Sequence, residues 1–353
     1  MKIDKVKLLS IFKTIQIGDS INLGDSTILK DLTIKNQTIN LDILISNPSL
    51  QFKNKLRDEI KNKVLNIFPH STINTNFIIK KPTKNIIAIA SGKGGVGKST
   101  ISSNLAISLK EEGYKVGLID ADIYGPSIPL MFDAEQEKPK VIKKNNHSLM
   151  SPIISYGIKI MSIGFFSNPS EAIVWRGPMA TKALKQIITQ TDWGELDYLL
   201  IDLPPGTGDI HLSLVQTIAL TGAIIVTTPQ PVSLVDAKKA INMFKMKDIN
   251  VPIIGLVENM SWLLIENKKH YIFGRDGGKN LSQEENIPLL VELPLNQSIR
   301  EAGDVGRPAA LQNSLLSNMF NNLARAVQNQ ICERKKYVPP TKKVKITHNR
   351  GCN

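Results

Sequence analysis

Residues 91–100 form a glycine-rich loop of the type that binds phosphate groups. The loop reads Ser-Gly-Lys-Gly-Gly-Val-Gly-Lys-Ser-Thr, and the apolar run Ile86–Ala90 stands directly before it. A strand, a glycine loop and a helix in this order are the context that a phosphate-binding loop requires. The glycines let backbone N–H groups turn toward phosphate oxygens, and the N-terminal end of the following helix adds positive potential.

Two side chains in this loop have the chemistry that a magnesium-bound triphosphate needs. We expect Lys98 to reach the β- and γ-phosphates and the Ser99 hydroxyl to bind Mg²⁺. The sequence therefore predicts a nucleoside triphosphate site. Its loop residues are Gly92, Lys93, Gly94, Gly95, Val96, Gly97, Lys98, Ser99 and Thr100.

Carboxylates follow two further apolar runs. Asp120 and Asp122 come after one of them, and Asp202 ends another. Ligands of parallel sheets collect at the carboxyl ends of the strands. We expect Asp202 to hold Mg²⁺ through water and Gly206 to present its N–H to the γ-phosphate. Each acid alone would be read as a solvated loop residue or a helix cap, but their order behind the phosphate loop favours the functional interpretation.

The positions of these residues depend on an alternation of strands and helices that begins at Asn85. This pattern is typical of a parallel sheet covered on both faces, so the predicted fold class is α/β, with a doubly wound sheet. The predicted strands are Asn85–Ala90, Val116–Ile119, Tyr198–Ile201, Ala223–Thr228, Pro252–Val257 and Leu289–Leu293. The predicted helices are Ser99–Glu112, Pro178–Gln190, Ile210–Ala219, Ser233–Met246 and Leu315–Gln330, and residues 133–151 are expected to be an irregular insertion.

Residues 1–80 predict a separate small α/β domain. Helical spacing of apolar residues covers Lys2–Ile15 and Leu50–Phe68, and Thr27–Ile34 and Thr38–Ser46 have the pattern of a hairpin. The expected organisation is this domain at 1–80, a linker at 81–84, the nucleotide-binding domain at 85–332 and a basic, flexible tail at 333–353.

Composition excludes several classes of protein. No apolar run approaches the roughly 18 residues of a membrane span, and Met1–Lys5 has no signal-peptide pattern. Only Cys332 and Cys352 occur, which is no disulfide framework and favours a cytoplasmic location. The net charge of +13 comes mostly from lysines in residues 1–80 and 333–353, a distribution that disfavours specific nucleic-acid binding.

The loop sequence, with its additional lysine at position 93, resembles the deviant Walker A motif of the MinD/ParA-like P-loop ATPases. Further motifs resemble the Mrp/ApbC iron–sulfur cluster carriers within that group, over about residues 85–330. They are Asp120-Ala-Asp-Ile-Tyr-Gly-Pro-Ser127, Trp175-Arg-Gly-Pro-Met179, Asp202-Leu-Pro-Pro-Gly-Thr-Gly-Asp209 and Glu258-Asn-Met-Ser261.

This resemblance implies a homodimer with specific residue roles. Lys93 would cross the dimer interface to the nucleotide of the partner subunit, where a cation neutralises developing charge as an arginine finger does. Asp122 would position the attacking water, and Asn259 would contact the adenine. The catalytic residues that the resemblance implies are Lys93, Lys98 and Asp122, with ATP and Mg²⁺ as ligands.

The chain departs from the family where the cluster should bind. The carriers follow Glu-Asn-Met-Ser with a Cys-x-x-Cys pair that holds a shared 4Fe–4S cluster, whereas residues 261–274 contain no cysteine. His270 alone is far short of a site. The remaining candidate ligands are Cys332, which is expected to be a buried or incidental thiol, and Cys352 in the tail. Two chains would supply four thiols.

These observations favour a homodimeric ATPase that carries or assembles iron–sulfur clusters and meets scaffold or recipient proteins. Two alternatives stay open. One is a positioning ATPase of the MinD/ParA kind, whose lysine-rich tail binds a membrane or DNA surface. The tail does not have the pattern of an amphipathic helix, which weighs against it. The other is an assembly chaperone that no longer binds a cluster itself.

Overall fold

The structure is a computed structural model that describes residues 3–17, 22–24, 29–45, 50–79, 83–144, 147–166, 177–312 and 315–337. The chain divides into two compact units, Met1–Pro82 and Thr83–Asn353. Two sites of the sequence analysis lie outside the described residues: the Trp175-Arg176 pair and Cys352.

The first unit is a three-stranded sheet with two helices. Its elements are α1 (Lys5–Phe12), β1 (Leu29–Lys35), β2 (Thr38–Ile45), α2 (Leu50–Leu65) and β3 (Thr72–Ile79). Strands β1 and β2 pair antiparallel, which confirms the predicted hairpin, and β2 pairs parallel with β3. Sequence analysis missed β3, because Thr72, Asn74 and Asn76 form its exposed face and Thr75 interrupts the apolar residues of the other face, which leaves a weak apolar pattern.

The second unit alternates strands and helices along the chain. Its first half contains β4 (Thr83–Ala90), α3 (Lys98–Glu111), β5 (Val116–Asp120), α4 (Ile128–Met131), β6 (Val141–Lys144), β7 (His147–Met150), β8 (Ile153–Ser155), β9 (Ile158–Ser162) and α5 (Gly177–Thr189). Its second half contains β10 (Leu196–Asp202), α6 (Asp209–Thr217), β11 (Gly222–Thr227), α7 (Pro231–Lys245), β12 (Ile253–Glu258), β13 (Leu263–Ile265), β14 (Lys268–His270), α8 (Gly277–Glu285), β15 (Leu289–Glu292), α9 (Gln297–Asp304) and α10 (Leu315–Tyr337).

Eight of these strands form one sheet in the order β15-β12-β11-β4-β10-β5-β9-β8. All neighbours in it pair parallel except β8, which is antiparallel to β9 at the edge. This confirms the predicted α/β class with a mostly parallel sheet. Because β4 and β10 are central neighbours, the glycine loop and Asp202 leave the sheet side by side.

The central strand β4 is apolar on both faces, as a sheet between two helical layers requires. Ile87 and Ile89 belong to the core that includes residues of α3 and α10, while Ala88 and Ala90 belong to the opposite core with residues of α5, α6 and α7. All four side chains are fully buried. The loop at the end of β4 is therefore anchored in the most buried part of the unit.

Several elements of the second unit differ from prediction. Strand β4 begins at Thr83, inside the predicted linker, because β10 starts early enough for Leu196 to pair with Thr83. Residues 133–151, expected to be irregular, contain β6 and β7. The inner strand β9 was not predicted at all. Helix α10 continues past the predicted end at Gln330 and takes in the first residues assigned to the tail, since Ile331 is still buried in the core.

Among the described residues, no helix is long and apolar enough to cross a membrane.

Candidate nucleotide-binding site

The glycine-rich loop connects β4 to α3 as the motif predicts. Gly95 and Gly97 have φ angles of +79° and +84°, a left-handed conformation that glycine adopts without steric cost. The Ser91 hydroxyl donates a hydrogen bond of 2.9 Å to the carbonyl of Lys93 and closes the first turn of the loop. The turn is thus fixed by its own residues before α3 begins at Lys98.

Two glycines of the loop are also required by close packing. A Cβ atom on Gly92 would lie 2.0 Å from the backbone carbonyl of Asp236 in α7. A Cβ atom on Gly97 would lie 2.3 Å from Nδ2 of Asn259. The loop is therefore held from one side by helix α7 and from another by the end of β12.

A cluster of hydrogen bonds around the Asp202 carboxylate joins the loop to β10. Lys98 Nζ lies 2.9 Å from Asp202 Oδ2, and the Ser99 hydroxyl donates to the same oxygen at 2.6 Å. Asp202 is fully buried and Lys98 is 6% exposed. A buried carboxylate needs such charge-assisted partners, because an unpaired one would be strongly destabilising. The residues predicted to bind phosphate and magnesium thus converge on one carboxylate.

Ser102 is a member of this cluster that sequence analysis missed. Its buried hydroxyl donates to Asp202 Oδ1 at 2.6 Å, so both carboxylate oxygens have serine donors. Residues three apart lie on one face of a helix, and Ser99 and Ser102 have that spacing. The spacing was visible in the sequence and could have identified the second serine.

The two acids after β5 have different surroundings. Asp122 Oδ2 lies 3.7 Å from Lys98 Nζ. Burial raises the pKa of Asp122, and the nearby Lys98 ammonium opposes that shift. Asp122 is thus the acid that faces the cationic side of the cluster.

Asp120 is fully buried and anchors the loop that follows β5. It accepts hydrogen bonds from the backbone N–H groups of Asp122 and Ile128 at 3.1 and 3.2 Å, and from the Ser162 hydroxyl at 2.9 Å. Burial, with a smaller contribution from the charge of Asp202, raises the pKa of Asp120 to about 7. Its bonds to the backbone of Asp122 and Ile128 hold the loop that presents Asp122.

Asn259 contacts the backbone of the glycine loop. Its Nδ2 donates to the Val96 carbonyl at 2.9 Å, and its side chain is 7% exposed. The preceding Glu258 accepts a hydrogen bond from the N–H of Gly278 at the start of α8. Asn259 therefore has a direct structural connection to the loop, and its contact with adenine stays a prediction.

The loop after β10 lies against the glycine loop through its backbone. The N–H of Gly206, predicted to face the γ-phosphate, donates to the Ser91 carbonyl at 2.9 Å, and Gly206 has a φ of +94°. That N–H would have to leave Ser91 before it could donate to a phosphate. His211 follows in the first turn of α6 with 2% exposure, and sequence analysis did not select it.

Lys93 differs from Lys98 in its surroundings. Its side chain is partly exposed, and no salt bridge to it occurs within the part of the chain that the structure describes. The two lysines of the loop are therefore not equivalent: Lys98 is buried and paired with Asp202, while Lys93 is partly exposed.

The structure describes two of the candidate cluster ligands, Cys332 and His270, while Cys352 lies outside the described residues. Cys332 is exposed on α10, so the expectation of a buried thiol was wrong; the helix reaches the protein surface there. His270 is exposed on β14. In the residues that the structure covers, no group of three or more His, Cys, Asp or Glu side chains could hold a metal ion. This part of the chain does not fit a resident iron–sulfur cluster.

The residues around Asp202, in contrast, fit a magnesium-bound nucleotide. Ser99 and Asp202 offer hard oxygen donors, which Mg²⁺ prefers, and Lys98 offers a cation for phosphate oxygens. The left-handed conformation of Gly95 and Gly97 lets the loop turn tightly, as backbone N–H groups that bind phosphate require.

Comparison with known families agrees with this geometry. The family model described as "ParA: NUBPL iron-transfer P-loop NTPase" matches residues 82–328. The chain belongs to this family. Its match covers the whole eight-stranded sheet and every residue of the Asp202 cluster.

Relatives of this NUBPL-type NTPase include two proteins named for iron–sulfur chemistry. The iron–sulfur cluster carrier protein of Escherichia coli K12 is 47% identical over 260 residues, which are 72% of this chain and 69% of the relative. The iron–sulfur cluster transfer protein NUBPL of Dictyostelium discoideum is 50% identical over 228 residues, or 64% of this chain and 69% of the relative.

Two solved structures share the fold. The Archaeoglobus fulgidus nucleotide-binding protein in complex with ADP has a TM-score of 0.56 at 36% identity and aligns over 64% of this chain and 88% of its own. The Pyrococcus furiosus cell division ATPase MinD has a TM-score of 0.54 at 23% identity over 69% of this chain and 98% of its own, a likeness of fold alone.

The packing behind the loop predicts a large effect for Gly92→Ala. The added methyl group would overlap the Asp236 carbonyl, and overpacking of this kind costs about 1–3 kcal/mol. Urea unfolding monitored by tryptophan fluorescence measures this loss of stability, because all three tryptophans lie in the second unit. Gly303→Ala, where a Cβ meets only the Met131 side chain at 4.0 Å, is the matched control. Equal stability of the two variants would contradict the packing argument.

Proposed function

We propose that this protein is an ATP-hydrolysing factor that carries or assembles iron–sulfur clusters. The observation that supports it is the convergence of Lys98, Ser99 and Asp202 at the end of β4 and β10 in a chain of the NUBPL-type NTPase family. The relatives at 47% and 50% identity are named for cluster carriage and transfer. The positioning-ATPase alternative has only fold-level likeness to MinD to support it.

In this proposal the Asp202 cluster exchanges its internal bonds for bonds to the substrate. Ser99 and Asp202 would hold Mg²⁺, which would neutralise charge on the phosphates when bound. Lys98 would leave Asp202 for the β- and γ-phosphates, and Ser102 would keep the carboxylate oriented through its second oxygen. The exchange needs no large rearrangement, because every donor already surrounds the same carboxylate.

Asp122 and Lys93 complete the proposed catalytic group. Asp122 would orient the attacking water, since its carboxylate lies beside Lys98 and retains partial exposure. Lys93 would act on the nucleotide of a second subunit, in keeping with its accessible position and with the absence of a salt bridge to it among the described residues. Asn259 would contact the adenine. Because Lys93 would act in a second subunit, we propose a homodimer. We also propose that it is located in the cytoplasm.

The cluster is treated as cargo. The described residues supply no ligand set for it, so two chains would have to combine Cys332 with Cys352 or rely on a scaffold or recipient protein. We propose that the ATPase domain extends from the start of β4 at Thr83 to the end of α10 at Tyr337, that residues 81–82 connect it to the small domain at 1–80, and that 338–353 act as a basic extension.

Lys93→Ala is expected to lower ATP turnover at least about tenfold with little change in ATP affinity, because the lysine would stabilise charge that develops in the partner's site. Steady-state phosphate release and calorimetric ATP binding measure the two quantities. Lys247→Ala, a change of an exposed lysine after α7, is the control. Full turnover in the Lys93 variant would refute the proposed role.

A mixture of Lys93→Ala and Asp122→Asn chains tests whether the lysine acts across the dimer. A mixed dimer would join the intact Asp122 of one subunit with the intact Lys93 of the other in one site. The mixture should then regain about a quarter of wild-type turnover, since half of the dimers are mixed and each has one complete site. No recovery in a mixture of verified dimers would place Lys93 in its own subunit's site.

Anaerobic reconstitution with iron and sulfide tests the carriage of a cluster. If the two cysteines supply the ligands, the wild type gains broad visible absorption and Cys332→Ser and Cys352→Ser each lose most of it, because soft thiolates are the usual ligands. Absorption that survives in both variants would exclude these cysteines. A colourless wild type that still hydrolyses ATP would favour the assembly chaperone over the carrier.

A further inference from the structure

His211 is a buried histidine without a hydrogen-bond partner among the described residues. It lies in the first turn of α6, directly after the loop that runs from Leu203 to Gly208. Its side chain is 2% exposed, and neither ring nitrogen forms a hydrogen bond in the described structure. Buried polar side chains in proteins nearly always have partners, so this one calls for an explanation.

The side chains around it on the same helix are apolar. The core that contains residues of α5, α6 and α7 includes Ile210, Leu214 and Val215. Each of them could be replaced by another apolar residue of similar size. Position 211 is as buried as these apolar neighbours. An imidazole there implies a use for its polar atoms.

The groups that face the imidazole come from the loop and from the nucleotide site. The carbonyls of Gly208 and Pro204 lie near enough to the ring to raise its pKa as acceptors, although neither forms a hydrogen bond of ordinary geometry with it, and the Lys98 ammonium lowers that pKa. Burial is the largest effect and lowers the pKa of His211 to about 4, so the ring is neutral at physiological pH. A neutral imidazole has one donor and one acceptor nitrogen.

The loop beside His211 has to rearrange for the proposed reaction. The Gly206 N–H now donates to the Ser91 carbonyl and must leave it to reach a phosphate oxygen. Such a movement changes the positions of the flanking backbone groups of Pro204 and Gly208. His211 is the buried side chain placed to receive them.

We propose that His211 is a positioning residue for ATP hydrolysis: its neutral imidazole hydrogen-bonds to the backbone of the 203–208 loop when MgATP is bound and holds Gly206 toward the γ-phosphate. This rests on the proposed ATPase function. The role is indirect, since His211 acts on the substrate through the loop.

Three variants test it. His211→Leu should lower kcat about tenfold with KM within about twofold of wild type, and should leave thermal stability unchanged or raised, since it removes an unpartnered buried polar group. His211→Gln keeps a neutral donor and acceptor and should retain most of kcat. Val215→Ala, a change at a buried position on the same helix, should lower stability and leave kcat unchanged.

A spectroscopic measurement reports on the hydrogen bond without turnover. In protein labelled with ¹⁵N-histidine, the ring signals of His211, assigned through their loss in His211→Gln, should shift when MgAMP-PNP binds. A wild-type kcat in His211→Leu, or ring signals unchanged by an analogue that calorimetry shows to be bound, would overturn the inference. If the wild type does not hydrolyse ATP, the proposed function itself fails, and that result is distinct from both.

Discussion

The buried carboxylate of Asp202 is the interaction on which the nucleotide site depends. It joins Lys98, Ser99 and Ser102 of α3 to the end of β10 through bonds of 2.6 to 2.9 Å. The register of the sheet determines this arrangement, because Asp202 pairs with Ile89 of β4 on one side and with Asp120 of β5 on the other. A shift of one residue would turn the carboxylate to the opposite face of the sheet and separate it from α3.

The need to keep the partners of Asp202 in place explains why buried apolar strands surround the few polar atoms of the site. A fully buried carboxylate is tolerated only while its partners stay in place, and removal of one partner from a buried ion pair costs several kcal/mol. The strands on both sides are therefore buried on both faces, and Asp120 holds the next loop through two backbone N–H groups and Ser162. The same donors that satisfy Asp202 are those that a magnesium-bound phosphate would take over.

The sequence was sufficient to predict that Lys98, Ser99 and Asp202 lie together and to predict most of the sheet. Lys98, Ser99 and Asp202 have fixed spacing relative to strands, so their convergence was predicted, and Ser102 could have been found from its helical spacing. Strand β9 and His211 could not be predicted in the same way. The pairing of β9 with β5 and the burial of His211 both depend on contacts between distant parts of the chain, for which a local pattern carries no information. The hydrogen bond from the Gly206 N–H to the Ser91 carbonyl also depends on a contact between distant parts of the chain.

The most direct test of this account is ATP turnover with and without Mg²⁺ in the wild type and in Asp202→Asn. The account predicts Mg²⁺-dependent hydrolysis by the wild type and a loss of at least about a hundredfold in the variant, because the amide lacks the charge that pairs with Lys98 and that, in our proposal, would hold Mg²⁺. Circular dichroism and urea unfolding confirm that the variant is folded. Turnover in folded Asp202→Asn equal to that of the wild type, or wild-type hydrolysis that does not require Mg²⁺, would contradict the central claim.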